Sequence, residues 1–272
     1  MIVRPISPTS KEFLKDIPPV LYKYRDWQNL NHQALITNGE VYFSSFDQLN
    51  DPFEGAIPFR YKKEELTIGN LKKKYFQKRL SENKFLNIDQ IEHDWQTDKH
   101  KIKVFDKNHT KEIEQGVVKM LNAKFGVFSL CATKNNLLLW SYYSQAHKGF
   151  CIGYDIKQLV LETQSSIGPV RYSDTIPRMG LFEEAPSIFM KLTQTKALLW
   201  KHEEEYRLRN IYHIRCAVKI SPEIVCEVIF GSKISEKDKS EITTAASALN
   251  KNIKFFQASI NEDEFKVDVM PL

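Results

Sequence analysis

The sequence predicts an α+β fold in which a largely antiparallel sheet forms the core. Short apolar segments with strand-like alternation recur along most of the chain, and helical segments lie between them. Of the 272 residues, 42% are hydrophobic, which is enough to bury a sizeable core and too apolar for a disordered chain. We therefore expect one domain over residues 1–272, with an insertion inside it.

The first element is a strand at VLYKYR. Strand alternation places Tyr22 and Tyr24 on one of its faces. Lys23 and Arg25 then share the opposite face. NLNHQALITNG is typical of a capped helix that ends at Gly39, EVYFSS of a second strand, and QLNDPFEG of a turn-rich loop.

Residues 62–124 differ in character from the rest of the chain. They hold 15 Lys and Arg against 10 Asp and Glu, and this excess of five equals the net charge of the whole protein, +5. LKKKYFQKRL and TKEIEQGVVKML carry apolar residues at helical intervals, which predicts a Lys-rich helical insertion or lid. Its basic face could be merely solvated, or it could contact nucleic acid or another acidic partner.

The remaining elements follow from the same patterns. GVFSLCA, GFCIGYDI, PVRYSD, EYRLRNIY, IVCEVIFGS and IKFFQASI are predicted strands. NNLLLWSYYSQA and SEKDKSEITTAASALNKN are predicted helices, and PSIFMKLTQTKALLWKHE is predicted to be a helix that leads into the next strand.

Cysteine usage and hydropathy predict a cytoplasmic protein that does not contact a membrane. The four cysteines are Cys131, Cys151, Cys216 and Cys226. They lie far apart among apolar neighbours, without zinc or disulfide-scaffold spacing, so we expect small buried hydrophobic side chains. The N-terminal MIVRPISPTSKEF lacks the apolar core of a signal peptide, and no apolar run approaches the roughly 18 residues of a membrane span.

The densest cluster of charge is LLWKHEEEYRLRN. If EEEYRLRN is a strand, Glu203, Glu205 and Arg207 share one face. Glu204 and Tyr206 then lie on the other. Two carboxylates and a guanidinium are costly to bury unless they are paired, so we expect Arg207 to pair with one carboxylate while the other stays free for a substrate. An ion-paired edge strand at the surface is the alternative.

A second segment with candidate chemistry is LLLWSYYSQAHKGFCIGYD. On a helix, Trp140, Tyr143 and Ser144 lie on nearly one side, with Ser141 one turn away. The chain then turns into a strand at His147, and such a corner can present a hydroxyl and an imidazole to a cleft. No GxSxG motif is present, so a serine hydrolase is not indicated. Aromatic core with a surface histidine is the alternative.

The third segment is FSSFDQLNDPFE, which concentrates Ser44, Asn50, Asp51 and Glu54. Asn and Asp favour turns, so an ordinary loop explains the pattern. Asp51 and Glu54, together with the two later glutamates, could instead serve a metal-dependent nuclease or hydrolase. The spacing does not match an EF-hand or a known metalloenzyme motif.

Together these segments resemble a widespread bacterial family of unknown function. Its pattern is a Y-x-Y start, FNDPFE, W-S-x-Y, H-x-G-x-C-I-G and K-x-x-x-W-x-x-E-x-E-x-R, and the match covers most of the chain except the insertion. Lys196 and Trp200 correspond to the K-x-x-x-W pair, and Glu203 and Glu205 to the last two acids. Many members carry His where this chain has Tyr142, so we assign no imidazole role there.

The order of these segments also resembles the ADP-ribosyltransferase superfamily, which implies an ADP-ribosyltransferase-like sheet and NAD as a substrate. In such enzymes the first strand grips the nicotinamide end of NAD, and a late Glu supports the oxocarbenium-like transition state as nicotinamide leaves. The resemblance implies that Glu205 is the catalytic carboxylate, that Glu203 faces the acceptor, and that Arg207 sets their charge state. The residues expected to bind NAD are Tyr24, Arg25, Ser44, Asn50, Ser141, Tyr143 and His147.

The function expected from the sequence is therefore that of an NAD-dependent ADP-ribosyltransferase-like enzyme, acting as a toxin or in antiphage defence. Its acceptor would be an unidentified macromolecule or nucleic acid. The main alternative is a non-catalytic module that binds a nucleotide or nucleic acid, with residues 62–124 holding the polyanion. The metal-dependent nuclease or hydrolase is a third possibility.

Overall fold

The computed structural model describes residues 15–101 and 107–272. The N-terminal segment used in the localisation argument therefore lies outside the described residues. The first half of the chain forms β1 (Val20–Arg25), α1 (Leu30–Thr37), β2 (Glu40–Phe43), α2 (Ile68–Glu82), α3 (Ile88–Asp98), α4 (Lys107–Lys124), β3 (Gly126–Cys131) and α5 (Leu137–Tyr143). These elements include every strand and helix that the sequence predicts before residue 144.

The second half begins with β4 (Phe150–Asp155), α6 (Ile156–Thr163), β5 (Ser166–Pro169), β6 (Arg171–Ser173), α7 (Ala185–Gln194) and β7 (Thr195–Ala197). It continues with β8 (Glu205–Asn210), β9 (Cys216–Lys219), β10 (Val225–Phe230), α8 (Glu236–Leu249), β11 (Lys254–Ile260) and β12 (Val267–Pro271). The sequence patterns did not predict α6, β5, β7, β9 or β12.

An eight-stranded sheet forms the core, in the order β12-β11-β10-β4-β1-β3-β8-β5. Its neighbouring strands are antiparallel except β10 and β11, which run parallel. Two small sheets, β2 with β9 and β6 with β7, stand beside it. The predicted α+β class with a largely antiparallel sheet is confirmed.

Helices cover both faces of this sheet. On one face, α1, α6 and α8 contribute Leu35, Leu159 and Ile242 to a large apolar cluster that also holds Phe150 of β4. On the other face, α5 packs Trp140 against Tyr24, with ring centroids 5.1 Å apart in an edge-on contact. Burial of both faces explains why the central strands read as nearly continuous apolar runs.

The sheet is split between β1 and β3. β1 pairs with β4 along its whole length, but it pairs with β3 at the single position Tyr22–Cys131. Beyond that pair the two strands diverge, and the amine of Lys23 reaches across to the carbonyl oxygen of Ser129, 2.5 Å away. This split leaves room for a cavity inside the sheet.

The helical prediction for residues 62–124 is confirmed over α2, α3 and α4. Helices α2 and α3 are joined by ion pairs, Lys72 to Glu92 and Arg79 to Asp94. Trp95 and Leu71 pack with residues of the segment that precedes α7, and α4 packs on the middle and last turn of α7. The segment is therefore a packed part of the body on the side of α7.

The strand predicted at EEEYRLRN differs from the observed structure at its beginning. Glu203 ends a 3₁₀ helix formed by residues 198–203, and Glu204 adopts a left-handed conformation with φ of 43°. The strand β8 begins at Glu205 and lies between β3 and β5, so the edge-strand alternative is wrong. The predicted helix before it ends at Gln194, where a short strand and the 3₁₀ helix take over.

Candidate functional site

A cavity of about 620 Å³ occupies the split between β1 and β3. The two strands form opposite walls, α1, β2 and residues 48–50 form a third, and a carboxylate cluster closes one end. Its volume is in the range of pockets that bind small molecules and cofactors. None of its lining residues comes from the helical insertion at residues 62–124.

The carboxylate cluster is organised around Lys196, the first residue of the K-x-x-x-W pattern. The amine of Lys196 lies 2.5 Å from Glu203, 3.2 Å from Glu205 and 3.3 Å from Glu54. It also sits 4.9 Å from the centre of the Trp200 ring, which accounts for the spacing of that pattern. All three carboxylates are at least 94% buried, so the cluster is an internal one.

Arg207 neutralises the cluster from the opposite side. Its Nε donates to Oε1 of Glu205 at 2.7 Å, its terminal nitrogen donates to Oε2 at 3.0 Å, and it also contacts Glu54. Burial raises the pKa of Glu205, but the charges and hydrogen bonds of Arg207 and Lys196 outweigh burial and lower that pKa to about 2. Glu205 is therefore ionised, and both of its carboxylate oxygens accept hydrogen bonds.

Glu54 behaves differently from Glu205. Burial, together with the charge of Glu205, raises the pKa of Glu54 in spite of Arg207 and Lys196. Three carboxylates face two cations, so the cluster carries one excess negative charge when every group is ionised. Burial thus favours the protonated form of Glu54, whereas pairing favours the ionised form of Glu205.

Glu203 is the carboxylate with a hydroxyl partner toward the cavity. Tyr143 donates its phenol proton to Oε1 of Glu203 at 2.9 Å, and Asn50 donates its amide to the same phenol oxygen at 2.9 Å. Burial and the charge of Glu203 raise the pKa of Tyr143, so the phenol stays protonated. The structure thus joins Asn50, Tyr143 and Glu203, which the sequence placed in three separate segments.

The wall formed by β1 carries two cations. Lys23 and Arg25 both line the cavity, as do the two tyrosines of the same strand. Among the described residues neither forms an ion pair: Lys23 donates to the Ser129 carbonyl and Arg25 to the Tyr24 carbonyl. Burial lowers the pKa of Arg25 to about 10, and burial and the charge of Arg25 lower the pKa of Lys23 well below its usual value.

Tyr24 and Ser44 line the cavity but are partly committed to the fold. The phenol of Tyr24 donates to the Thr133 carbonyl at 2.6 Å and accepts from the Asn136 amide at 3.1 Å. The backbone of Ser44 forms an isolated bridge to Val127. The Tyr24 side chain therefore lines the cavity, while its hydroxyl is used in hydrogen bonds that position the start of α5.

Ser141 and His147 lie apart from the cavity. The hydroxyl of Ser141 lies 3.1 Å from Nε2 of His147, whose ring stacks on Trp140. Gln145, Ala146 and His147 all have positive φ, between 51° and 70°, so they form a left-handed turn. The cavity lining includes neither Ser141 nor His147. Their contacts stabilise the corner between α5 and β4.

A metal-dependent site does not fit this arrangement. The centre of the three carboxylates, where a cation would bind, is filled by the Lys196 amine at 2.5 to 3.3 Å. Asp51 caps its own loop by accepting from the amide of Phe53. Within the described part of the chain, no group of three or more His, Cys, Asp or Glu side chains is arranged to hold a metal ion.

Sequence reasoning did not identify Lys23, Lys196 and Glu54 as residues that line one cavity. The signals were present: Lys23 shares a strand face with Arg25, Lys196 belongs to a family pattern, and Glu54 ends LNDPFE. The cysteine expectation holds for Cys131 and Cys151, which are buried free thiols. Cys216 and Cys226 are free and partly buried.

The comparisons with known proteins find one family model that matches part of the chain, and they give no activity. A family model described as a protein of unknown function, DUF2971, matches residues 139–208. This range contains Tyr143, Lys196, Glu203, Glu205 and Arg207. No curated protein and no solved structure matches the chain. In the described ranges, none of the helices has the length and apolar character needed to span a membrane.

Proposed function

We propose that the cavity binds NAD and that the protein is an ADP-ribosyltransferase-like enzyme. The observation that carries the proposal is the fixed carboxylate of Glu203 in the wall of a nucleotide-sized cavity, held by Lys196 and Tyr143. The nicotinamide ring of NAD is cationic, and positive charge moves onto the ribose as the ring leaves. A preorganised carboxylate stabilises both the cationic ring of the bound substrate and the positive charge that develops on the ribose.

The reaction requires one bond to break and one to form. The bond between C1′ of the ribose and the nicotinamide nitrogen breaks, and its electron pair leaves with neutral nicotinamide. A nucleophile of the acceptor then forms a bond to C1′ and releases its proton to Glu203 or to water. Hydrogen bonds between ribose hydroxyls and the polar groups of Asn50, Tyr143 and Glu203 would orient the sugar.

The geometry favours Glu203 over Glu205 as the carboxylate that contacts the substrate. Glu205 is paired with two cations, Arg207 on both oxygens and Lys196 on one, whereas within the described residues Glu203 is paired with Lys196 alone, through Oε2. Such pairing weakens a carboxylate as a base and as a stabiliser of a cation. Oε1 of Glu203 instead accepts a hydrogen bond from the Tyr143 phenol, which in turn accepts one from the Asn50 amide. A ribose hydroxyl can join this series of hydrogen bonds. We assign Glu205 and Arg207 to positioning Glu203 through Lys196.

Nicotinamide release from NAD tests this function. The purified protein is incubated with NAD, with and without cell lysate as a source of acceptor, beside Glu203→Gln and the control Glu204→Gln. Glu204 is exposed and lies outside the cavity lining, so its substitution should leave turnover unchanged. Loss of turnover in Glu203→Gln alone supports the proposal. A folded wild-type protein that neither binds nor cleaves NAD under both conditions would contradict it.

A second candidate is a non-catalytic nucleotide-binding module. The observation that favours it is the charge balance of the cluster: Glu205 pairs with two cations, and burial raises the pKa of Glu54. Such a site binds NAD without consuming it. Calorimetric binding together with absent nicotinamide release would identify this function.

The nucleic-acid form of that candidate depends on the insertion. Lys72 is already paired with Glu92, whereas Lys73 and Lys74 are exposed. Contact with a polyanion would make affinity fall steeply with salt and would weaken when Lys73 and Lys74 are changed to Gln. If the affinity for single- or double-stranded oligonucleotides changes neither with salt nor with these substitutions, this surface is excluded as the binding site.

A further inference from the structure

The geometry points to a pyrophosphate-binding subsite on the β1 wall of the cavity, formed by Lys23 and Arg25. This inference rests on the proposed function in one respect, because it assigns the cavity to a dinucleotide. The ligand class is a phosphate diester or diphosphate joined to a sugar, with its phosphates against β1 and its ribose toward Glu203.

The first argument is charge without a partner. Lys23 and Arg25 are two residues apart on one strand, so their side chains leave the same face about 7 Å apart along it. Among the described residues, neither has a carboxylate within ion-pair distance, and each donates one hydrogen bond to a backbone carbonyl. The three buried carboxylates of the same cavity are, in contrast, all paired with Lys196 or Arg207.

The second argument is the cost of that arrangement. Two neighbouring cations in a partly buried wall repel each other and lose hydration, and both effects lower the pKa of Lys23. A bound dianion would offset the repulsion and compensate the lost hydration with charged hydrogen bonds, so Lys23 would hold its proton. Arg25 presents a planar fork that can donate two bonds to one phosphate, while Lys23 donates to a neighbouring oxygen.

The third argument is the position of the pair within the split. β1 and β3 diverge after the Tyr22–Cys131 pair, so the backbone edges beside Lys23 and Arg25 face the cavity instead of a neighbouring strand. His32 of α1 lines the same cavity, and burial and the charge of Arg25 lower its pKa to about 4, so it is neutral at pH 7. The cationic wall and the carboxylate of Glu203 thus bound one cavity, matching a ligand that is anionic in the middle and polar at the sugar.

The test measures pyrophosphate binding by isothermal titration calorimetry in a phosphate-free buffer. Wild-type protein is compared with Lys23→Met, Arg25→Met and the control Lys157→Met, which makes the same change on an exposed face of α6 outside the cavity. Because a charged hydrogen bond is removed, each cavity variant should lose about tenfold or more in affinity. Lys157→Met should bind like the wild type, and Lys23→Arg should recover part of the loss.

A second measurement needs no variant. Reductive methylation of lysines in the wild-type protein, read by mass spectrometry, should modify Lys23 readily, and pyrophosphate should protect it. Protection of Lys23 but not of Lys157 supports the subsite. Equal pyrophosphate affinity in wild type and Lys23→Met, absent binding in the wild type, or methylation of Lys23 that ignores pyrophosphate would each overturn it.

These outcomes separate the subsite from the enzymatic proposal. Pyrophosphate binding that depends on Lys23 and Arg25, without any nicotinamide release, leaves the subsite in place and removes the transferase. Nicotinamide release that is unchanged in Lys23→Met and Arg25→Met leaves the transferase in place and removes the subsite.

Discussion

The amine of Lys196 lies 2.5 Å from Oε2 of Glu203, and both side chains are buried. This contact is the centre of the carboxylate cluster, because the same amine reaches Glu205 and Glu54 within 3.3 Å. A single cation therefore sets the position of three acids contributed by two distant parts of the chain. The predictions below depend on this cluster and on the cavity beside it.

Replacing Lys196 with Met should destabilise the fold strongly. The substitution keeps the length of the side chain but leaves Arg207 as the only cation within ion-pair distance of the three buried carboxylates in the described part of the chain. Removing one partner of a buried ion pair costs about 3–5 kcal/mol. The free energy of unfolding, measured by urea denaturation, should fall by that amount. Lys201→Met, an exposed site on the same 3₁₀ helix, should change it by less than about 0.5 kcal/mol. Equal effects of the two variants would contradict the cluster's role.

The pKa of Glu205 predicts the direction of an acid-induced loss of stability. Its folded-state pKa is about 2, below the usual 4.5, so its pairing stabilises the fold above pH 4.5. This contribution, on the order of 3 kcal/mol, should disappear as the pH falls from 4.5 to 2. Urea midpoints between these pH values should therefore drop less steeply in Glu205→Gln than in the wild type. Parallel curves for the two proteins would show that Glu205 does not titrate this way.

Tyr143→Phe should lower nicotinamide release without unfolding the protein. It removes the hydroxyl that links Asn50 to Glu203 and keeps the ring in place. Loss of one positioning hydrogen bond to a reacting group should reduce the rate about tenfold or more. Tyr142→Phe is the matched control, since Tyr142 is 64% exposed and lies outside the cavity lining. An active Tyr143→Phe enzyme would separate this chain of hydrogen bonds from catalysis.

Gly149→Ala should destabilise the β1–β4 contact and weaken pyrophosphate binding. A Cβ at Gly149 would collide with the backbone carbonyl of Arg25 and crowd Ser144, so β1 or the turn must shift. Overpacking of this kind costs about 1–3 kcal/mol. Gly116→Ala is the control, because a Cβ there meets nothing within 4 Å and a helical alanine stabilises by roughly 0.5–1 kcal/mol. Thermal melts of both variants, with and without pyrophosphate, measure these effects.

Local patterns predicted most elements because their causes are local. Alternation in VLYKYR predicted that Tyr22 and Tyr24 share one face, and both join the apolar cluster on the α5 side, whereas Lys23 lies over Phe128 of the other cluster. Capping and apolar spacing predicted α1 and α8, whose N-caps are Asn29 and Ser235. Prediction failed at Glu203 and Glu204, where strand alternation was assumed. There, Glu204 adopts a left-handed conformation and turns the chain, and this turn, not strand alternation, brings Glu203 and Glu205 together.

The sequence by itself determined the fold class, most of the strands and helices, and the presence of charge that needed partners. The tertiary structure alone decided which partners meet. Glu54 reaches Arg207 across 153 positions, and Tyr143 reaches Glu203 across 60. It also decided that β1 and β3 diverge after one pair. Periodicity and capping act within a few residues, whereas these contacts depend on how all the packed elements fill space together.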